Sequence, residues 1–102
     1  MEFVPRHKQR SKYDWVNISF QNTRVGKARC LIDGDTITIY SINIFPEFQG
    51  RGYGSFVVGK LKEVYSGLTA DRVRPTARSF WLKQGFVDAG DGNYVYVNKQ
   101  IK

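Results

Sequence analysis

Alternating and continuous apolar runs divide the first half of the chain into strands and turns. Residues 15–20, Trp-Val-Asn-Ile-Ser-Phe, alternate apolar with polar side chains, which is typical of a half-covered strand. A second strand is predicted over residues 24–32, and the Asp-Gly pair at Asp33 and Gly34 then predicts a tight hairpin turn. Residues 36–44 are almost wholly β-branched or aromatic on both faces, so they indicate a central strand in a covered sheet.

The second half of the chain shows helical spacing. An apolar stripe predicts a helix over about residues 52–66, followed by a short strand over residues 68–74. A second helix begins at Pro75 and ends before Gly85, and a closing hairpin is predicted from residues 86–97. The stripe of the first helix consists of Tyr53, Phe56, Val57, Leu61, Val64 and Leu68. The predicted order is β-β-β-α-β-α-β-β, an α/β domain built on one mixed sheet.

Length and composition indicate one globular domain over residues 1–102. Residues 1–12 are mostly polar and charged, and we expect them to form a flexible basic arm centred on residues 6–12. The sequence shows neither a signal peptide nor a membrane span, which favours a soluble, cytoplasmic protein. The single cysteine, Cys30, lies in an apolar run and is expected to be a small core residue.

The net charge narrows the class of partner. Lys and Arg number 16 against 9 Asp and Glu, giving a formal charge of +7. Such a balance favours anionic partners: nucleic acid, an acidic protein surface or a polyphosphate cofactor. Charge alone does not choose among them.

Three alternate glycines, Gly50, Gly52 and Gly54, lie between the central strand and the first predicted helix. Without Cβ atoms, their backbone can approach an anion closely, and the helix that follows adds its positive N-terminal dipole. A dinucleotide fingerprint does not fit, because Ser55 stands where its third glycine belongs. A nucleotide P-loop does not fit either, because Leu61 replaces the Ser or Thr that binds Mg²⁺.

A third glycine pattern fits the loop at every fixed position. Residues 49–54, Gln-Gly-Arg-Gly-Tyr-Gly, match Gln/Arg-x-x-Gly-x-Gly/Ala, and residues 77–86 are similar to Ala-x-x-x-Tyr-x-x-x-Gly-Phe. With both matches in order, the chain resembles the GNAT superfamily of N-acetyltransferases over about residues 36–97. The resemblance implies a mixed sheet that splays at its centre and is flanked by two helices.

The resemblance also implies that the chain binds acetyl-CoA as its co-substrate. In the family, the backbone of the central strand binds the pantetheine arm of acetyl-CoA, and the glycine loop binds its pyrophosphate. No metal site is expected. The cofactor-binding residues that the resemblance implies are Ile42, Asn43, Ile44, Gln49, Gly50, Arg51, Gly52, Tyr53, Gly54, Trp81 and Lys83.

The groups that would transfer protons are not apparent from the resemblance. Thr38 stands where some family members carry a basic glutamate, and Trp81 stands where many carry the tyrosine that protonates the thiolate. Neither side chain exchanges a proton at neutral pH. The remaining candidates for proton transfer are the Glu47 carboxylate and the Tyr40 hydroxyl. The Ile42 N–H is a candidate for a different catalytic role, that of oxyanion donor.

The sequence therefore favours an acetyl-CoA-dependent N-acetyltransferase that acetylates a primary amine by direct attack. Few residues precede the first predicted strand, so the acceptor side should be open or completed by a partner chain, which favours a protein or peptide amine. The alternative is a GNAT-like module that binds CoA without chemistry and regulates a partner. A nucleic-acid-binding domain ranks last, so nucleic acid is an unlikely partner. The sequence is compatible with either a monomer or a homodimer. It does not identify the acceptor substrate.

Overall fold

The computed structural model describes residues 2–5 and 14–98, which form one seven-stranded sheet and two helices. The strands lie in the order β1-β2-β3-β4-β5-β7-β6, and only β4 and β5 pair in parallel. The predicted mixed fold is confirmed. The elements are β1 (Glu2–Pro5), β2 (Asp14–Phe20), β3 (Thr23–Asp33), β4 (Thr36–Ile44), α1 (Tyr53–Val64), β5 (Gly67–Ala70), α2 (Arg78–Lys83), β6 (Val87–Asp88) and β7 (Tyr94–Val97).

Strand β1 was not predicted from the sequence. It pairs antiparallel with β2, with Glu2 opposite Ser19 and Pro5 opposite Val16. The expectation of a flexible arm over residues 1–12 is therefore wrong for residues 2–5, and residues 6–12 lie outside the described residues. Four residues are too few to show a period, so the pairing with β2 decides their conformation.

One face of the sheet and helix α1 form the core. From the sheet, Ile18, Cys30 and Ile39 are among the side chains buried against the helices, and Cys30 is a core residue as expected. Beside this core, at the C-terminal end of α1, burial raises the pKa of the Tyr65 hydroxyl, with a smaller contribution from Cys30.

Helix α1 faces the sheet with a different stripe from the predicted one. Val57, Val58 and Leu61 are buried, whereas Phe56 is 44% exposed and Val64 is 63% exposed. The predicted stripe is therefore wrong for Phe56 and Val64. Val58 is buried in their place, so the helix is rotated by about one residue from the predicted orientation. Residues 56–58 are all apolar, and the pattern of apolar residues is therefore compatible with both orientations.

Strand β5 ends earlier than predicted. The sequence suggested a strand over residues 68–74, but pairing stops at Ala70. Arg72 has φ of 49°, which no regular strand accommodates. Residues 71–74 therefore form a loop beyond the sheet, and this loop becomes one wall of the site described below.

Lys62 joins the two helices to the sheet. Its ammonium group donates a hydrogen bond to the carbonyl oxygen of Gln84, just after α2, and lies 4.3 Å from the centre of the Tyr96 ring. The side chain is partly buried, so both interactions are poorly screened by water. Helix α2 is only six residues long and depends on such tertiary contacts.

Replacing Lys62 with methionine should therefore lower the free energy of unfolding by about 2 kcal/mol, because an apolar chain of similar length loses both contacts. Urea denaturation followed by circular dichroism measures the change. Lys60→Met is the matched control, since Lys60 is exposed on the same helix and should cost less than about 0.5 kcal/mol. Equal losses in the two variants would refute a specific role for Lys62.

Candidate functional site

Strands β4 and β5 part where β5 ends, and a cleft opens between them. Their parallel pairing runs from Thr36 opposite Gly67 to Ile39 opposite Ala70. The last contact is the hydrogen bond from the Asp71 N–H to the Ile39 carbonyl, at 2.9 Å. Strand β4 continues to Ile44, so its second half has a backbone edge that β5 does not cover. This is the central splay that the resemblance implied.

A bulge and the alternation of the strand set the direction of the β4 amides. Arg29 lies opposite Ser41 and Cys30 lies opposite Ile39, so Tyr40 is the extra residue of a bulge in the β3–β4 register. Farther along, the Phe45 N–H donates to a β3 carbonyl at 2.8 Å. Because successive amides of a strand point to opposite edges, those of residues 42 and 44 point away from β3, into the cleft.

The cleft has a volume of about 580 Å³. Helices α1 and α2 and the loop after β5 close it on the sides that β4 leaves open. It contains three predicted residues of the central strand, Ile42, Asn43 and Ile44, together with Tyr40 and Trp81. The full lining is Ile39, Tyr40, Ser41, Ile42, Asn43, Ile44, Gln49, Gly54, Ala70, Asp71, Arg72, Val73, Arg74, Ala77, Phe80 and Trp81.

The glycine loop forms a second hollow at one end of the cleft. Gly50 and Gly52 have φ of 79° and 83°, and a Cβ added to either would meet no atom within 4 Å. The first hydrogen bond of α1 runs from the Phe56 N–H to the Gly52 carbonyl, at 3.0 Å, so the amides of residues 53–55 precede the helical bonds. This hollow, which we call the loop hollow, has a volume of about 250 Å³. Its open glycine backbone and helix amides fit a phosphate group.

Gln49 ties the loop to the end of β4. Its side-chain amide donates a hydrogen bond to the Ile44 carbonyl at 2.8 Å. The loop hollow and the cleft share residues Ile44, Gln49, Gly54 and Phe80, so the two are continuous. Gln49 therefore positions the loop relative to the strand whose amides face the cleft.

Two predicted cationic residues do not line either hollow. Arg51 is exposed, and its guanidinium lies 5.9 Å from the centre of the Phe48 ring. Lys83 is exposed in the last turn of α2. Neither belongs to the lining of the cleft or of the loop hollow, so the groups at the loop that could bind an anion are backbone amides.

Of the candidates for proton transfer, Tyr40 is the one that belongs to the lining of the cleft. The Arg29 guanidinium lies 6.0 Å from the centre of its ring. Glu47 lies in a short 3-10 turn, Pro46–Phe48, is exposed and does not line the cleft. Thr38 pairs with Thr69 below the point where the strands part, and it also lies outside the lining.

Trp81 occupies the position where many resembling proteins carry tyrosine. It is 8% exposed and packs against Phe80 and Phe86, with ring centres 5.1 and 4.9 Å apart. Its indole lines the cleft but has no proton to give a thiolate at neutral pH. Its observed role is to pack α2 against the closing hairpin.

The loop after β5 supplies lining residues that the sequence did not indicate. Asp71, Arg72 and Arg74 border the cleft, and the Arg72 N–H donates to the Asn93 side chain at 2.9 Å. A strand through residue 74 would have sent these side chains to alternate faces of a sheet. The positive φ of Arg72 is the deciding feature, and arginine at that position gives no signal for it.

Comparison with known families bears on this arrangement. Residues 2–86 match the family described as "Acetyltransferase (GNAT) family". The chain belongs to the GNAT acetyltransferase family. The predicted family is thus confirmed, and the splayed sheet with its glycine loop is the GNAT fold. A search of the curated proteins gave no match.

Solved structures with this GNAT fold include an acetyltransferase from Thermus thermophilus and the Bacillus subtilis N-acetyltransferase YlbP in complex with coenzyme A. The first is 20% identical with a TM-score of 0.66, over 87% of this chain and 66% of that protein. The second is 18% identical with a TM-score of 0.63, over 82% of this chain and 67% of that protein. The chain thus spans just under two thirds of the Thermus protein.

A third similar structure is the AtaT–AtaR complex bound to DNA, 18% identical with a TM-score of 0.65, over 88% of this chain and 70% of that one. At this identity the likeness concerns the fold. Nevertheless, a GNAT fold does occur in a complex with DNA, so the expectation that nucleic acid is an unlikely partner is not supported.

Within residues 2–5 and 14–98, neither helix has the length and apolar character needed to cross a membrane.

Proposed function

We propose that this GNAT protein is an acetyl-CoA-dependent N-acetyltransferase that acetylates a primary amine, with a protein or peptide amine as the favoured acceptor. The observation that carries the proposal is the continuity of the loop hollow with the cleft. A phosphate-sized cradle at one end leads to a strand edge whose amides point inward. A long, thin substrate with a phosphate end and an acyl end fits this shape.

The chain's own groups would bind acetyl-CoA mainly through backbone. The amides around Gly50 and Gly52 and those of residues 53–55 would hold the pyrophosphate, and Gln49 would keep this loop in register with β4. The amides of Ile42 and Ile44 would bind the pantetheine arm, and one of them would donate to the thioester oxygen. These assignments follow the residues that the sequence indicated.

The reaction needs one bond to form and one to break. The neutral amine attacks the thioester carbonyl, and an amide of Ile42 or Ile44 stabilises the negative oxygen of the tetrahedral intermediate. The carbon–sulfur bond then breaks, the thiolate leaves, and the nitrogen loses its proton. Direct attack requires no acylated side chain, which agrees with the location of Cys30 in the core and outside the lining of the cleft.

The pKa values of the leaving thiol and of the attacking amine show which of the two proton transfers depends more on a catalytic group. A free thiol has a pKa of about 8.5, so the thiolate leaves without a dedicated acid, and the reaction tolerates Trp81 at the tyrosine position. A lysine amine has a pKa of about 10.4 and is almost fully protonated at pH 7, whereas an α-amine with a pKa of about 8 is partly neutral. The proposal therefore favours an α-amine, with Tyr40 or a relayed water carrying the proton away.

The buried indole of Trp81 also favours a second candidate, a GNAT module that binds CoA and regulates a partner without catalysis. The two candidates share the cofactor site and differ only in turnover. Release of free thiol from acetyl-CoA with a panel of α-amines and lysine amines separates them. Thiol release that depends on the amine supports the enzyme, and binding without release supports the module.

Acetyl-CoA should raise the thermal stability of the protein. At a free concentration about 100 times its dissociation constant, a ligand that binds only the folded state adds roughly 2.7 kcal/mol. For a domain near 100 residues this corresponds to a rise in Tm of roughly 10 to 20 °C. Differential scanning fluorimetry with acetyl-CoA, using adenosine as a control without phosphates, measures the shift. No shift at millimolar acetyl-CoA would refute both candidates.

A further inference from the structure

A third hollow adjoins the cleft at the loop after β5. It has a volume of about 250 Å³ and is lined in part by Arg74, Arg78, Asp88 and Tyr94. We call it the arginine hollow. It shares Val73 and Arg74 with the cleft but no lining residue with the loop hollow. The cleft therefore adjoins both hollows, each through a different set of residues.

Among the described residues, neither Arg74 nor Arg78 forms an ion pair within 4.0 Å. The ion pairs within 4.0 Å in this part of the chain are Lys60 with Glu63 and Arg72 with Asp71. Asp88 lines the same hollow, but its carboxylate accepts the Gly90 N–H at 2.8 Å and holds the β6–β7 turn. The lining thus carries two arginines and one aspartate, which leaves an excess of one positive charge. An anion that entered would gain charge-assisted hydrogen bonds.

Hydrogen bonds fix the walls of the arginine hollow. The Val73 N–H donates to the Gly92 carbonyl at 2.8 Å, and the Arg72 N–H donates to the Asn93 side chain at 2.9 Å. The loop that carries Arg74 is therefore tied to the turn on the opposite side. A binding site whose walls are already ordered loses less entropy when a ligand binds.

We propose that the arginine hollow is an acceptor subsite that selects amines carrying an anionic group, a carboxylate or a phosphate, beyond the reacting amine. The proposal rests on the proposed function, which assigns the phosphates of acetyl-CoA to the loop hollow and so leaves the arginine hollow without a phosphate of the co-substrate. It places Arg74 and Arg78 on the acceptor side of the thioester. The substrate class is an anionic amine, such as an acidic peptide or an amino acid phosphate.

The test compares amines that differ only in their far end. A series of glycine peptides of increasing length keeps a free α-amine at one end and carries a carboxylate, a phosphate ester or an uncharged carboxamide at the other; each is titrated by calorimetry into the protein saturated with CoA. Anionic members should bind at least about tenfold more tightly than the matched carboxamides. Their kcat/KM values with acetyl-CoA should follow the same ratio. Comparing the carboxylate and phosphate arms identifies the preferred anion.

Arg78→Gln should reduce the ratio of the affinities for anionic and carboxamide amines to near one, because it removes a positive charge from the arginine hollow. Arg78 does not line the cleft, so the cleft itself is unchanged. Lys60→Gln removes the same charge from an exposed site on α1 and should keep the ratio. If the wild-type affinity ratio is near one, or if Arg78→Gln leaves the ratio unchanged, the proposed subsite is wrong even when acetyl-CoA binds. Absence of acetyl-CoA binding in the thermal-shift assay would instead overturn the proposed function.

Discussion

Replacing Gly26 with alanine is expected to lower the free energy of unfolding by about 3 kcal/mol. An added Cβ would lie 2.4 Å from the Asn43 carbonyl oxygen and 3.0 Å from the Ile44 Cα. Both atoms belong to the backbone of β4, so no side-chain rotation relieves the overlap. For a domain of this size the loss corresponds to a fall in Tm of roughly 10 to 25 °C, which calorimetry or urea denaturation measures.

The same substitution should also weaken acetyl-CoA binding, because the displaced residues, Asn43 and Ile44, form the edge of the cleft. Gly59→Ala is the matched control. Gly59 lies inside α1, and an added Cβ meets no atom within 4 Å, so alanine should stabilise the helix by about 1 kcal/mol. Opposite signs for the two alanine substitutions would support the close approach of β3 to β4. A neutral Gly26→Ala would contradict it.

The parts of the fold that the sequence predicted best are those that short segments determine. Strand β4 has the predicted bounds, Thr36–Ile44, because a hairpin turn at Gly34 precedes it and Pro46 follows it. Both signals lie within a few residues of the ends of the strand. In the glycine loop, Gly50 and Gly52 have positive φ angles, which glycine adopts without strain.

The parts that the sequence did not predict depend on contacts between distant segments. Strand β1 exists through its pairing with β2, and β5 ends at Ala70 where the following loop bonds to the β6–β7 turn. The bulge at Tyr40 arises from the β3–β4 register. No local pattern encodes any of these features. They nevertheless determine which side chains line the cleft and the arginine hollow.

For the candidate site, the sequence indicated backbone positions more accurately than charged side chains. Residues 42–44 line the cleft and residues 49–54 form the loop, since strand order and glycine spacing place them. Arg51, Glu47 and Lys83 are exposed outside the lining, because the direction of a surface side chain depends on its neighbours in space. Arg74 and Arg78 were not predicted, for the same reason.

Replacing Gly52 with glutamate should weaken acetyl-CoA binding by about a hundredfold or more. The new carboxylate would enter the open space above the loop, where the pyrophosphate is proposed to bind, and two negative charges about 4 Å apart near a protein surface repel by roughly 4 kcal/mol. The fold should survive, since no atom lies within 4 Å of the added Cβ. The φ of 83° at this helix cap adds a strain of about 1 to 2 kcal/mol.

Gly34→Glu separates the charge at the loop from the backbone strain. Gly34 has φ of 59° in the β3–β4 turn, and an added Cβ there also meets no atom within 4 Å, so the strain is similar and the site is remote. Its Tm should fall about as much as that of Gly52→Glu, while isothermal titration should show wild-type affinity for acetyl-CoA. If both variants bind equally well, or lose binding equally, the loop is not the phosphate site.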